Sequence, residues 1–205
     1  MLAQNGLRGL RAVATALVVC FLLSGCLSAR MYVDPALPVL GSDDFRAPAD
    51  PQSANVLFEF RTKGNANARA TQETRLIALE AVRKSGLFSD VIDGGATAAD
   101  AQLKIVIDNI PVTENAAAKG VGTGLTMGLV GSMVTDGYLC TASYTRDGVT
   151  TQTTVQHALH TTIGNHGGPE GLQPVPAQQA VETVVTQMVL NALKQLGADS
   201  AFGAP

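Results

Sequence analysis

Tyr138-Leu139-Cys140-Thr141-Ala142-Ser143-Tyr144-Thr145-Arg146-Asp147-Gly148-Val149-Thr150-Thr151-Gln152-Thr153-Thr154-Val155-Gln156-His157 reads as a β-hairpin and sets the architecture. Side chains alternate across a strand with period two, so Tyr138, Cys140, Ala142 and Tyr144 share one face. Asp147-Gly148 between two alternating runs is the sequence of a tight hairpin turn. On the return strand Val149, Thr151, Thr153, Val155, His157, Leu159 and Ile163 take one face, and Thr150, Gln152, Thr154, Gln156 and His160 take the other. One side of this ribbon is therefore expected to pack and the other to meet water.

Upstream, Val56, Phe58 and Phe60 alternate with Leu57, Glu59 and Arg61, which predicts a first strand from Asn55. Residues 65–85 predict an amphipathic helix with Leu76, Leu79 and Val82 inward, Glu80 and Lys84 four apart outside, and Gly86 as a left-handed cap followed by Leu87. A short strand over 88–92, a turn at Asp93-Gly94-Gly95, and a strand over 101–110 with Leu103, Ile105 and Ile107 on one face come next. Pro174 and Pro176 introduce a second helix over 177–196, with Val181, Val184, Met188 and Leu193 inward and Gly197 as its cap. This order predicts an α+β fold, a mainly antiparallel sheet of four to five strands with two amphipathic helices on one face.

The N-terminus carries an address. Arg8 and Arg11 precede an apolar run of about 12 residues ending at Leu23-Ser24-Gly25-Cys26, a positive, an apolar and a small-residue region in the order of a secretory signal. The run is short of the roughly 20 residues that span a bilayer as a helix. Leu23-Ser24-Gly25-Cys26 resembles the lipobox of bacterial lipoproteins, which implies cleavage after Gly25 and a diacylglyceryl thioether plus an N-acyl chain on Cys26. Leu27 rather than Asp after the cysteine implies, by the same resemblance, export to the periplasmic face of the outer membrane.

Residues 1–25 are thus expected to be a signal peptide, 26–54 the lipidated cysteine and a disordered tether, 55–198 one domain with a Gly-rich insert at 116–134, and 199–205 a flexible tail. The tether reading rests on Pro35, Pro38, Pro48 and Pro51 among scattered Asp and Ser, and it would hold the domain about 30 Å from the lipid.

The whole chain has 14 Lys+Arg against 17 Asp+Glu, and losing Arg8 and Arg11 leaves the processed chain at net −5. No basic stripe is available to neutralise phosphates, so no nucleic-acid partner is expected. Of three cysteines, Cys20 leaves with the signal and Cys26 takes lipid. Cys140 remains without an intrachain partner and reads as a small buried hydrophobe. Tryptophan is absent and aromatics make up 4%, which argues against a stacking surface for sugars or bases.

A second resemblance lies in Arg83-Lys84-Ser85-Gly86-Leu87-Phe88-Ser89-Asp90-Val91 closing a helix and Ala99-Asp100-Ala101-Gln102-Leu103 opening a strand. Over residues 55–110 the chain resembles envelope lipoproteins whose domain is similar to the amino-terminal domain of the Tol translocation protein and to the curli secretion channel subunit. The shared motifs are packing motifs, so the resemblance implies fold rather than function. The Gly-rich insert is not part of that core.

Gly120, Gly124 and Gly128 recur every four residues in an apolar segment, a spacing that as a helix makes one close-packing face. Lys119 and several hydroxyls make it a poor autonomous membrane segment. Packing against the domain is therefore expected, with a membrane or self-assembly face forming rings or pores as the alternative. Gly120-Val121-Gly122-Thr123-Gly124 lacks the strand before it and the Gly-Lys-Ser/Thr after it that a phosphate loop needs.

His157, His160 and His166 are all the histidines and suggest a metal site. Strand geometry sets 157 and 160 on opposite faces, and no further ligand lies in the segment. Ser132, Ser143 and Asp136 have no nucleophile elbow around them, and no cofactor is expected. The leading expectation is a non-enzymatic envelope accessory lipoprotein that binds an envelope protein or copies of itself. The rival is a periplasmic hydrolase or metal-binding protein using the three histidines.

Overall fold

Asp147 and Gly148 both adopt positive φ, 51° and 76°, the backbone of a two-residue turn matched to strand twist. The hairpin runs in unbroken register from Arg146↔Val149 to Met133↔Thr162. The computed structural model describes residues 29–94, 99–111, 133–163 and 167–202. Cys26, Leu23, Ser24, Gly25, Gly120, Gly124, Gly128 and His166 lie outside these residues.

Among the described residues, seven strands and two α-helices follow in the order β1 (Ala29–Val33), β2 (Ser53–Thr62), β3 (Asn65–Ala66), α1 (Ala68–Lys84), β4 (Asp90–Asp93), β5 (Ala101–Pro111), β6 (Met133–Arg146), β7 (Val149–Ile163) and α2 (Ala177–Ala198). The sheet order is β1-β7-β6-β5-β2-β3, with β4 also on β2. The α+β class stands, while the strand count is seven rather than four to five. The sheet is also mixed, because β2 pairs parallel with β4 and β5 around the α1 crossover. Both helices cover one face, and Val56, Leu79, Leu103, Ile105, Met188 and Leu193 form the centre of the core between helices and sheet.

Asn67 caps α1 by accepting the Ala70 N–H at 3.0 Å. At its other end Gly86 takes φ +66°, and Leu87 tucks in at 5% exposure, as the capping pattern requires. Leu76, expected inward, is 70% exposed. A spacing of three falls 60° short of a full turn at each step, so 76-79-82 drifts off the stripe that Thr74, Ala78, Ala81 and Val82 bury. Gly197 does not end the second helix. It lies within α2, and Ser200 takes the left-handed conformation instead.

Two expected flexible segments are corrected. Residues 199–202 are folded: Ala201 N–H reaches the Leu196 carbonyl at 3.0 Å, and Phe202 stacks edge-on to Tyr144 at 5.0 Å and Phe88 at 5.5 Å between ring centroids. The proposed tether is folded from Ala29 onward. β1 pairs antiparallel with β7 from Ala29↔Ile163 to Val33↔Leu159, and Leu37, Leu40 and Phe45 pack on the core. The Asn191 side chain also donates to the Pro38 carbonyl at 3.0 Å. Proline content was a poor guide because these prolines lie between short apolar anchors that each find a place on α2 or the sheet.

The water-facing side of β7 is likewise shorter than expected. From His157 to His160 both faces are buried, the second by Tyr32 of β1 and the segment around Gly168, which lies directly on the Tyr32 ring. Tyr32→Ala should therefore cost about 3–5 kcal/mol in chemical denaturation, the range of a buried aromatic truncation. A disordered tether would give no change.

Candidate functional site

Antiparallel pairing fixes which residues share an end of the sheet. β1 begins at Ala29 opposite Ile163 at the end of β7, and Thr162 lies opposite Met133 at the start of β6. β5 ends at Pro111, opposite Asp136. The chain thus enters β1, leaves β5 and re-enters β6 at one end. Cys26 precedes Ala29 by three residues, a covalent reach of about 10 Å.

Just inside this end, on the sheet face away from the helices, lies a buried polar group. His160 is 5% and Asp34 8% exposed. His160 Nε2 stands 3.3 Å from Asp34 Oδ2, and its Nδ1 stands 2.9 Å from the Thr135 hydroxyl. Asp34 Oδ1 accepts the Ala36 N–H at 2.8 Å, and the Asp34 N–H donates to the Ala158 carbonyl at 3.2 Å. These contacts tie the start of the folded chain to β6 and β7, and the group is covered over Tyr32 by Gly168. It is built as a structural clamp: the acid and the imidazole are spent on each other and on backbone.

His157 occupies the opposite face, against α2. Its Nδ1 accepts the Ala158 N–H at 2.9 Å, so the ring proton sits on Nε2 and is donated to Gln187 Oε1 at 2.6 Å. The sheet separates His157 from His160, so they cannot share an ion, and the three-histidine metal reading loses its geometry. Among the described residues no three His, Cys, Asp or Glu side chains are placed to hold a metal. Ser143 donates to Gln152 Oε1 at 3.1 Å on the exposed face, with no histidine beside it. Burial pushes the Cys140 thiol up to about 12, which makes it the inert core residue expected.

Concave features lie at both ends of the helix layer. A groove of about 460 Å³ near the C-terminal turn of α2 is floored by Phe45, Leu87, Leu193 and Phe202 and rimmed by Asp43 and Lys194. Lys194 reaches the Asp44 carbonyl and lies 5.7 Å from the Phe45 ring centroid. A smaller cavity of about 150 Å³ lies between α1, α2 and the sheet, lined by Phe60, Tyr138, Leu159, Val184 and Val185. Sequence reasoning missed Tyr32, Asp34, Thr135 and Gln187. The alternation Met31-Tyr32-Val33 was the signal available for the first two.

Burial holds the His157 imidazole below its ordinary range, and the Gln187 bond offsets this only in part. Between the lowered folded value and the unfolded value near 6.5, the unfolded chain binds the extra proton. The stabilisation is therefore present above that window and lost as pH falls through it. Denaturant midpoints should drop from about pH 7 to pH 5, with the slope reduced in His157→Leu.

No family model matches the chain, and no curated protein matches it. Among solved structures it is similar to a PelC variant dodecamer from Paraburkholderia phytofirmans, at 14% identity over 82% of this chain and 97% of that chain, TM-score 0.38. It is also similar to a protein of family model DUF330 from Xanthomonas campestris, at 13% identity over 85% and 96%, TM-score 0.33. A third likeness is to the rare lipoprotein B from Shewanella oneidensis, at 10% identity over 72% and 93%, TM-score 0.32. Identities and scores of this size do not assign a function.

Proposed function

We propose that this chain is a non-enzymatic envelope lipoprotein, anchored by acyl chains on Cys26 at the periplasmic face of the outer membrane, whose domain binds an envelope protein or further copies of itself. The observation that carries the reading is the position of β1. A lipobox-like cysteine three residues before a strand locked into the sheet sets the Ala29 end of the domain about 10 Å from the bilayer surface, rather than on a 30 Å tether. A thioether-linked diacylglyceryl group and an amide-linked chain together supply the multiple anchors that stable attachment needs. The packing motifs shared with Tol- and curli-type lipoprotein domains support the same class.

The same geometry favours a second role for the Gly120, Gly124 and Gly128 segment. The chain leaves β5 at Pro111 and re-enters β6 at Met133 at the end of the sheet that carries Ala29, the end that an anchor on Cys26 would bring toward the membrane. In this reading the small-residue stripe is an assembly or lipid-contact face rather than one packed against its own domain.

Cys26→Ala should leave the protein unprocessed or release it from washed membranes. Recovery of a processed, salt-resistant membrane form would overturn the anchor. Gly124→Leu separates the two uses of the insert. If the stripe packs on its own domain, melting should fall by about 1–3 kcal/mol equivalent. If it is an assembly or membrane face, melting should hold while the mass measured with and without detergent, or vesicle binding, changes.

A further inference from the structure

We propose that His157 is a proton-operated latch on the N-terminal arm, residues 29–45, so that acidification frees β1 and the segment after it from β7 and α2 while the rest of the sheet stays folded. The latch is built where β1 parts from β7. Strand pairing ends at Val33↔Leu159, and Ala158 is the first residue of β7 beyond it. Its carbonyl still accepts the Asp34 N–H at 3.2 Å. Its own N–H points to the same side and has no strand left to donate to. The His157 ring takes that place, accepting the Ala158 N–H on Nδ1 at 2.9 Å. A neutral imidazole with its proton on Nε2 is therefore part of the seam that holds the arm.

The two ring nitrogens respond differently to a second proton. Nε2–H donates to Gln187 Oε1 at 2.6 Å with the ring neutral or charged. A proton on Nδ1 sets two donors against each other, ring N–H against Ala158 N–H, in a residue that is 1% exposed. A charge and an unpaired donor buried together are costly, and the nearest relief is a shift of Ala158, which loosens the Asp34 bond on its carbonyl. The arm also passes beside α2 near this ring: Asn191, one turn after Gln187, donates to the Gln187 and Pro38 carbonyls at 2.8 and 3.0 Å. Opening the arm gives water access to Nδ1. The ionisable groups around the ring are Asp34 after β1, His160 across the sheet on β7, and Tyr138, its register partner on β6. Tyr138 stays neutral, pushed up to about 12 by burial, and the two charged residues of α2, Glu182 and Lys194, are exposed. Burial is the largest influence and holds His157 below its ordinary range, against the Gln187 bond and Asp34, which favour the charged ring, while His160 opposes it. As pH falls from near 6.5 toward the lowered folded value, the open arm binds the proton that the closed arm refuses. The opening equilibrium then grows by up to about tenfold per pH unit.

The test is amide hydrogen exchange on the full chain between pH 7 and 5, corrected for the intrinsic pH dependence of exchange. Amides of residues 30–34 are expected to lose protection by up to about tenfold per pH unit below 6.5, while those of β2 and β5 keep theirs, the pattern of a local opening. In His157→Asn, whose side-chain oxygen still accepts the Ala158 N–H but does not titrate, the loss should disappear. The unmodified protein supplies a second readout: in an NMR titration the His157 ring and the Asp34 amide should share one midpoint. Separate midpoints, or unchanged protection at residues 30–34, would overturn the latch. Parallel loss of protection in β2 and β5 would show general destabilisation in its place. A response that persists in His157→Asn and vanishes in His160→Asn would assign the proton to the Asp34 pair and overturn it too.

Discussion

The antiparallel pairing of β1 with β7 is the constraint on which the arrangement depends. Five residue pairs hold β1 at the edge of the sheet, too few for a strand to persist on backbone bonds alone. The strand is held by what its side chains do on both faces. Met31 and Val33 join the core under α2, while Tyr32 and Asp34 are buried on the other side with His160. An acid and an imidazole removed from water in this way need each other. Removing one would leave the second without its partner, the costly half of a buried pair. The clamp therefore specifies register: a slip by one residue would take Tyr32 and Asp34 to the helix side and expose Met31 and Val33.

That register fixes the end of the sheet at which the chain enters β1, three residues after Cys26. Only Leu27 and Ser28 separate Cys26 from Ala29, so an acyl group on Cys26 would leave the domain little freedom to tilt or swing, because a short link spans a far smaller volume than a long coil. The ends of β5 and β7 and the starts of β1 and β6 share one end of the sheet, and the Asp147-Gly148 hairpin tip and the groove around Phe45 and Phe202 lie toward the opposite end.

Much of the fold was legible because its strongest signals are local. Asp147-Gly148 specifies a turn by its positive φ values, Gly86 specifies a helix end in the same way, and the period-two runs of β5, β6 and β7 have one buried face over most of their length. What was illegible is non-local. The ordering of residues 29–54 depends on partners more than a hundred positions away, as the Asp34–His160 and Pro38–Asn191 bonds show, and no window of sequence around the prolines contains that information. Leu76 misled because spacing by three resembles helical periodicity over one turn and departs from it over two. For the candidate sites, the opposite faces of His157 and His160 followed directly from strand geometry, whereas Gln187 and Thr135 became partners only through packing.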